Sequence, residues 1–164
     1  MILLKFWKNT VLFYLGGMGY VGLELLWRQR SHSSMFVLGG ACFLALGSLN
    51  RLGRAFPAPL RAVAGAGIIT ALELVTGLTV NRQYQIWDYS KLPLNYLGQI
   101  CLPYTLLWIP VAGLGMWLYD RLSRAIDQSA AFLLRSSLIR FSSSAITAIF
   151  SSKASPSGSS PEDT

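Results

Sequence analysis

Cysteine is almost missing from this chain. Its two copies, Cys42 and Cys101, both lie inside apolar runs, so the sequence carries no disulfide framework and no spaced set of thiols for a metal. Charge is also scarce: 13% of the 164 residues are charged, and Asp plus Glu number only 7. With 52% hydrophobic residues and a positive mean hydropathy, this excludes the balance of an ordinary soluble domain and points to a membrane protein. The formal charge is +7, yet the basic residues are scattered between apolar runs and form no single basic face. A nucleic-acid partner is therefore not expected.

Motifs of chemistry are missing too. The run Gly17-Met-Gly-Tyr-Val-Gly22 satisfies G-x-G-x-x-G literally, but no strand precedes it and the whole stretch is apolar enough to span a membrane, so it does not read as nucleotide binding. There is no Walker A motif, and Ser, His and Asp occur without the context of a nucleophile elbow. No catalytic group, cofactor or metal site is expected, and the chain does not read as an enzyme. Lys5 and Lys8 ahead of an apolar stretch resemble the start of a secretory signal. That stretch holds Glu24 and ends at Trp27-Arg28 without a small-residue cleavage site, so it reads as a retained helix.

What the chain does have is apolar length. A hydrocarbon core of roughly 30 Å needs about 20 helical residues, and four stretches qualify: about 10–27, 34–50, 60–80 and 96–119. Between the third and fourth, 81–95 is polar and aromatic, and Pro93 disfavours a helix through it. Lys5, Lys8, Arg51, Arg54, Arg61, Arg121, Arg124, Arg135, Arg140 and Lys153 fall on one side of the four spans; Arg28, Arg30, Arg82 and Lys91 fall on the other. The positive-inside rule then places both termini in the cytoplasm and the segments 28–34 and 81–95 outside a plasma membrane.

The expected organisation is a four-helix membrane domain over 1–124, an amphipathic interfacial helix over 125–150, and a disordered Ser/Pro-rich tail over 151–164. In the second of these, Ile126, Ala130, Leu133, Leu134, Leu138 and Phe141 recur at helical spacing while Arg135 and Arg140 interrupt the apolar run. The tail lacks the apolar residues to offset its ordering entropy. The four spans also read as two similar hairpins. Leu23-Glu-Leu25 matches Leu72-Glu-Leu74, and Leu38 to Cys42 matches Leu97 to Cys101 in the same order, a parallel internal repeat about an axis along the membrane normal.

Two glutamates stand out, because an ionisable group in hydrocarbon costs at least a few kcal/mol and so faces a bundle interior, a partner or a water path. Glu24 precedes Arg28 by one turn, the favoured order for a helical ion pair. Glu73 has no basic residue within a turn, and its face, with Ala66, Thr70 and Gly77, is small enough for close helix approach. Two carboxylates sharing a site would favour uptake of a proton or cation. Asp88, in Ile86-Trp-Asp-Tyr-Ser90, adds a third carboxylate or pairs with Arg82. The candidate ion or substrate site is thus Glu24, Arg28, Glu73 and Asp88, with His32, Trp87, Tyr89 and Asn95 as accessories. The segment around Trp87 and Tyr89 reads either as an aromatic belt, with Asn95 capping the fourth helix, or as a folded lid over the glutamates.

A set of residues spread over 12–122 carries a resemblance: Trp27-Arg28, Ser31-His32, Gly39-Gly40 and Cys42-Phe43, then Leu72-Glu73, Thr76-Gly77 and Asn81, then Trp87-Asp-Tyr-Ser90, Leu92-Pro93, Asn95 and Leu97-Gly-Gln-Ile-Cys-Leu-Pro103. In these the chain resembles the bacterial family of putative ABC-transporter permeases, type IV. It departs from that pattern at Gln29-Arg30, where a glycine is expected near the arginine, and after Ala125. The resemblance implies a small polytopic plasma-membrane protein. Without a Walker A motif, ATP hydrolysis would come from a separate subunit, and with only four spans a homo-oligomer or partner would be needed to enclose a path.

The resulting expectation is an all-α polytopic membrane protein, a transport-associated component whose carboxylates bind a proton, cation or cationic substrate. The alternative is a structural or accessory membrane protein whose glutamates hold helices or a partner together. The orientation is testable directly. A cysteine placed at position 32 or 85 should react with a membrane-impermeant thiol reagent on intact cells, whereas labelling only after permeabilisation reverses the topology.

Overall fold

Among the described residues the four apolar runs become four helices: α1 (Ile2–Arg28), α2 (Ser33–Leu52), α3 (Ala58–Val80) and α4 (Leu102–Lys153). The computed structural model describes residues 2–52 and 55–153, with side chains described through 133 apart from Leu52. Each helix contains a segment long and apolar enough to cross a membrane, which for α4 lies within Leu102–Leu133. The class is all-α, as expected, with one addition, a hairpin of two-residue strands between α3 and α4.

These helices are apolar all round, as a bilayer solvent requires. α1 buries only Leu12, Gly17 and Glu24 along its length, while Leu23, Leu26 and Trp27 stay exposed, as do Val75 on α3 and Leu106, Leu114 and Trp117 on α4. The protein interior is built on α2: Met35, Leu38, Cys42 and Leu46 meet Ile69 of α3 and Ala112 and Met116 of α4. Because lipid tails are as apolar as leucine, van der Waals fit rather than water exclusion must hold such helices together. Small residues supply it. A Cβ on Gly40 would sit 2.7 Å from the Phe13 carbonyl oxygen, and one on Gly47 would sit 2.3 Å from the Tyr119 ring.

The bundle end formed by the C-terminus of α2 and the N-terminus of α3 is tied by polar groups. Asn50 is buried, donates to Asp120 Oδ2 at 2.9 Å and accepts from Arg61, while the Arg51 guanidinium donates to the Tyr119 hydroxyl at 3.3 Å. α3 enters through Pro57 at its N-cap and Pro59 in its first turn, where a missing N–H costs nothing. Pro110, by contrast, lies inside α4 and leaves the Leu106 carbonyl without its helical donor.

The chain divides into two units, 1–124 and 125–164. In the second, the backbone is helical through Lys153, including Ser151–Lys153 of the stretch expected to be disordered. Side chains of the expected amphipathic face beyond 133, and residues 154–164 altogether, lie outside the described residues.

The fourth span starts later than its hydropathy suggests, at Leu102 instead of residue 96. Leu97 and Gly98 adopt positive φ values of 52° and 60°, which turn the chain into a hairpin pairing β1 (Asn95–Tyr96) with β2 (Ile100–Cys101). A turn with successive left-handed residues suits hairpin twist and cannot be helix. Asn95 is thereby used inside the loop, donating to the Ser90 and Leu92 carbonyls at 3.1 and 2.8 Å, and does not cap α4.

Another left-handed residue, Gln29, stands in the α1–α2 turn where a glycine is expected near the arginine. Gln29 has φ 55° and its N–H bonds the Leu25 carbonyl at 3.0 Å, the left-handed stop that ends helices and that glycine adopts without a Cβ penalty. Gln29→Gly should therefore stabilise the protein by about 1 kcal/mol, read as a higher melting temperature in detergent. An unchanged or lower value would show that the Gln29 side chain contributes more than its backbone costs.

Candidate functional site

The site lies where α1 and α3 end, under the loop that joins α3 to α4. On α1, Glu24 is 6% exposed. One of its oxygens accepts from Arg28, one turn on, and the other accepts from the Ser31 hydroxyl at 2.6 Å. Arg28 reaches further, donating to the Ile86 carbonyl of the loop at 3.4 Å. The ion pair expected from the i, i+4 spacing therefore exists, and it also ties α1 to the segment that follows α3.

Glu73, on α3, is 4% exposed and has a different environment. Its Oε1 accepts from the Tyr89 hydroxyl and its Oε2 from Trp108 Nε1, both at 3.1 Å. One donor comes from the loop and the other from α4. Tyr89 is itself packed, its ring stacked on Tyr104 at 4.8 Å. Burial, reinforced by the neighbouring Glu73 charge, raises the Tyr89 hydroxyl above its ordinary pKa and keeps it a donor.

Asn81 closes this arrangement. It is 1% exposed, and its backbone N–H completes α3 on the Gly77 carbonyl. Its side chain donates to the Trp87 carbonyl at 2.6 Å and to Gln99 Oε1 at 3.1 Å, and accepts from Ile86 N at 2.9 Å. Gln99 Nε2 returns a bond to the Asn81 carbonyl at 3.1 Å, and Trp87 Nε1 donates to the Gln99 carbonyl at 2.9 Å. Trp87 and Tyr89 are thus interior residues of a folded cap, with no place in an aromatic belt. Asp88, between them, points outward. It is fully exposed, and hydrogen bonds from Ser90 hold its carboxyl below the usual range, so it serves the turn and joins neither glutamate.

Beside Glu24 a cavity of about 450 Å³ opens, walled by the α1–α2 turn on one side and the start of the α3–α4 loop on the other. Glu24, Arg28 and His32 line it together with Arg30 and Arg82. The His32 ring lies 2.9 Å from the Ser34 hydroxyl and accepts from Ser34 N at 3.2 Å at the start of α2. Glu73 does not line the cavity, although it lies within electrostatic reach of Glu24 and Arg28. The candidate residues therefore separate into two neighbouring groups, Glu24 with Arg28 and His32 at the cavity, and Glu73 with Tyr89 beneath the cap. The landmarks of the proposed repeat also differ in setting: Cys42 is inside α2 and Cys101 is in β2.

Sequence reasoning missed Trp108, Ser31, Gln99 and the structural weight of Asn81. Trp108 is one of several aromatics in an apolar run, and only the crossing of α3 and α4 selects it. For Asn81 a signal existed: the first polar residue after a span has to satisfy helix-end groups in a place water reaches poorly. Asn81→Ala should cost about 1–3 kcal/mol, since it strands Ile86 N and the Gln99 amide, and should speed amide exchange across 84–99. Melting and hydrogen exchange check this; unchanged exchange would show that the cap holds without its hub.

Compared with known proteins, residues 10–153 match the family model described as "Putative ABC-transporter type IV". No curated protein and no solved structure matches the chain.

Proposed function

The chain belongs to this ABC-transporter type IV family, and from that premise we propose that it is a membrane component of a transport system in which Glu73 takes up and releases a proton. The observation that carries the reading is the enclosure of Glu73 by two neutral donors from two different elements, the Tyr89 hydroxyl of the cap and Trp108 Nε1 of α4. Of the occupants expected from sequence, a proton fits these contacts best. A metal or organic cation would have to face two hydrogens directed at the carboxylate, and the indole N–H cannot turn acceptor. A proton leaves Trp108 in place and reverses only the Tyr89 bond, because a hydroxyl can accept as readily as donate. Charge on Glu73 would then be felt by the cap through Tyr89 and by α4 through Trp108.

Energy for transport would come from a separate ATPase subunit, and a second copy or a partner would complete any path. Four spans among the described residues and a sequence without a phosphate-binding loop support both. A second reading, an accessory protein whose glutamates only hold helices together, has its own support: all four oxygens of Glu24 and Glu73 already have partners.

Two measurements separate these readings. Purification from native membranes should bring down a P-loop ATPase in stoichiometric amount; its absence favours the accessory role. Glu73→Gln keeps the shape of the side chain, removes its titration and should flatten the pH dependence of melting relative to the parent. If the parent and the variant share the same pH profile and differ only by about 1 kcal/mol, the scale of interhelical polar contacts, Glu73 is structural.

A further inference from the structure

The cavity beside Glu24 has the wrong charge for the cationic ligand that its glutamate suggests. Arg28, Arg30 and Arg82 line it against the single carboxylate of Glu24, a surplus of two positive charges. That carboxylate is also engaged, with Arg28 on one oxygen and Ser31 on the other, so its charge is already offset and each oxygen already accepts a bond. Arg28 is spent on Glu24 and the Ile86 carbonyl, but the other two guanidiniums are not. Arg82 uses only Nε, on the Leu78 carbonyl at 2.9 Å, which leaves its two terminal nitrogens. Arg30 is exposed and engages no acceptor among the described residues. Gln85 donates to Gln83 Oε1 at 3.0 Å, so the amide nitrogen of Gln83 is left as a further donor on the same wall.

We propose that this cavity binds a phosphate-bearing anion, with Arg30 and Arg82 as its principal ligands and the Gln83 amide as a neutral donor. A phosphate group suits the arrangement because two terminal guanidinium nitrogens match two of its oxygens in one plane, and it offers enough oxygens for both arginines at once. At about 450 Å³ the cavity exceeds a bare phosphate and falls in the range of small-molecule sites, so the phosphate carries a larger body. Two sources present this chemistry. One is a lipid headgroup, since the cavity is lined by Arg28 and Val80 at the ends of two apolar helices, next to exposed Leu26 and Trp27. The other is a phosphorylated solute arriving from water. The proposal is independent of the role assigned to Glu73, which does not line the cavity.

The test uses the full-length protein in a neutral maltoside detergent at fixed ionic strength, because surface charge effects are screened by salt. The probes are inorganic phosphate, glycerol 3-phosphate, dihexanoyl phosphatidylglycerol and, as the phosphate-free control, dihexanoylglycerol. Binding is followed by calorimetry and by ligand-dependent melting. Arg30→Gln and Arg82→Gln should each weaken binding about tenfold, the loss of one charge-assisted pair, while Arg30→Lys should retain part of it. Lys91→Gln removes a charge from the same loop outside the cavity and should change nothing. Binding of glycerol 3-phosphate with this variant pattern identifies a phosphorylated solute; binding of phosphatidylglycerol alone, with the same pattern, identifies a lipid headgroup. Failure of every phosphate probe to bind, equal binding of dihexanoylglycerol, or an equal loss in Lys91→Gln overturns the proposal.

Discussion

Asn81 ends α3 with its side chain sealed inside the protein, and the geometry of both glutamate environments follows from how that side chain is satisfied. A buried amide left without partners costs more than a satisfied one contributes, so the chain after α3 folds back until Ile86 N, the Trp87 carbonyl and the Gln99 amide meet it. Once they do, Tyr89 stands over Glu73 and the Ile86 carbonyl stands within reach of Arg28. One hub places the donor for the deeper carboxylate and the wall of the cavity beside the shallower one. It also uses few residues, because a membrane protein can carry irregular backbone near the bilayer only where protein groups satisfy it.

The two glutamates illustrate two ways of holding a carboxylate among apolar helices. Glu24 is neutralised locally, by an arginine one turn away and a serine in the adjoining turn, which leaves the nearby arginines Arg30 and Arg82 dominant in the cavity. Glu73 accepts its hydrogen bonds from two neutral donors, on the cap and on α4. An ion pair of the first kind makes insertion tolerable; a carboxylate of the second kind depends on its protonation state for the bonds it can make. That difference is why protonation is proposed for Glu73 and anion binding for the arginines around Glu24.

Packing between the helices rests on shape. Gly16, Gly39, Gly40 and Gly47 admit aromatic neighbours so closely that a Cβ on any of them would collide with an aromatic side chain. Where hydrophobicity does not discriminate helix from lipid, such interlocking decides which faces meet. The faces left over carry large apolar side chains outward, available to lipid, to a second copy or to a partner subunit.

The sequence alone determined the membrane class, the four spans, the Glu24–Arg28 pair and the family, because these depend on local hydropathy and on spacing along one helix, which a linear string records directly. It also marked Gln29-Arg30 as unusual, and the structure has a left-handed residue there. Only the tertiary structure decided that Tyr89 and Trp108 bond Glu73, that Trp87 is interior, that Asp88 faces water and that Arg82 of the α3–α4 loop joins Arg30 of the α1–α2 turn at one cavity. The Glu73 bonds join residues 16 and 35 positions apart, and the cavity joins the α1–α2 turn to the α3–α4 loop. In lipid they are set by which small residues let two helices approach and by which buried polar groups must find partners, and neither can be read from any one segment.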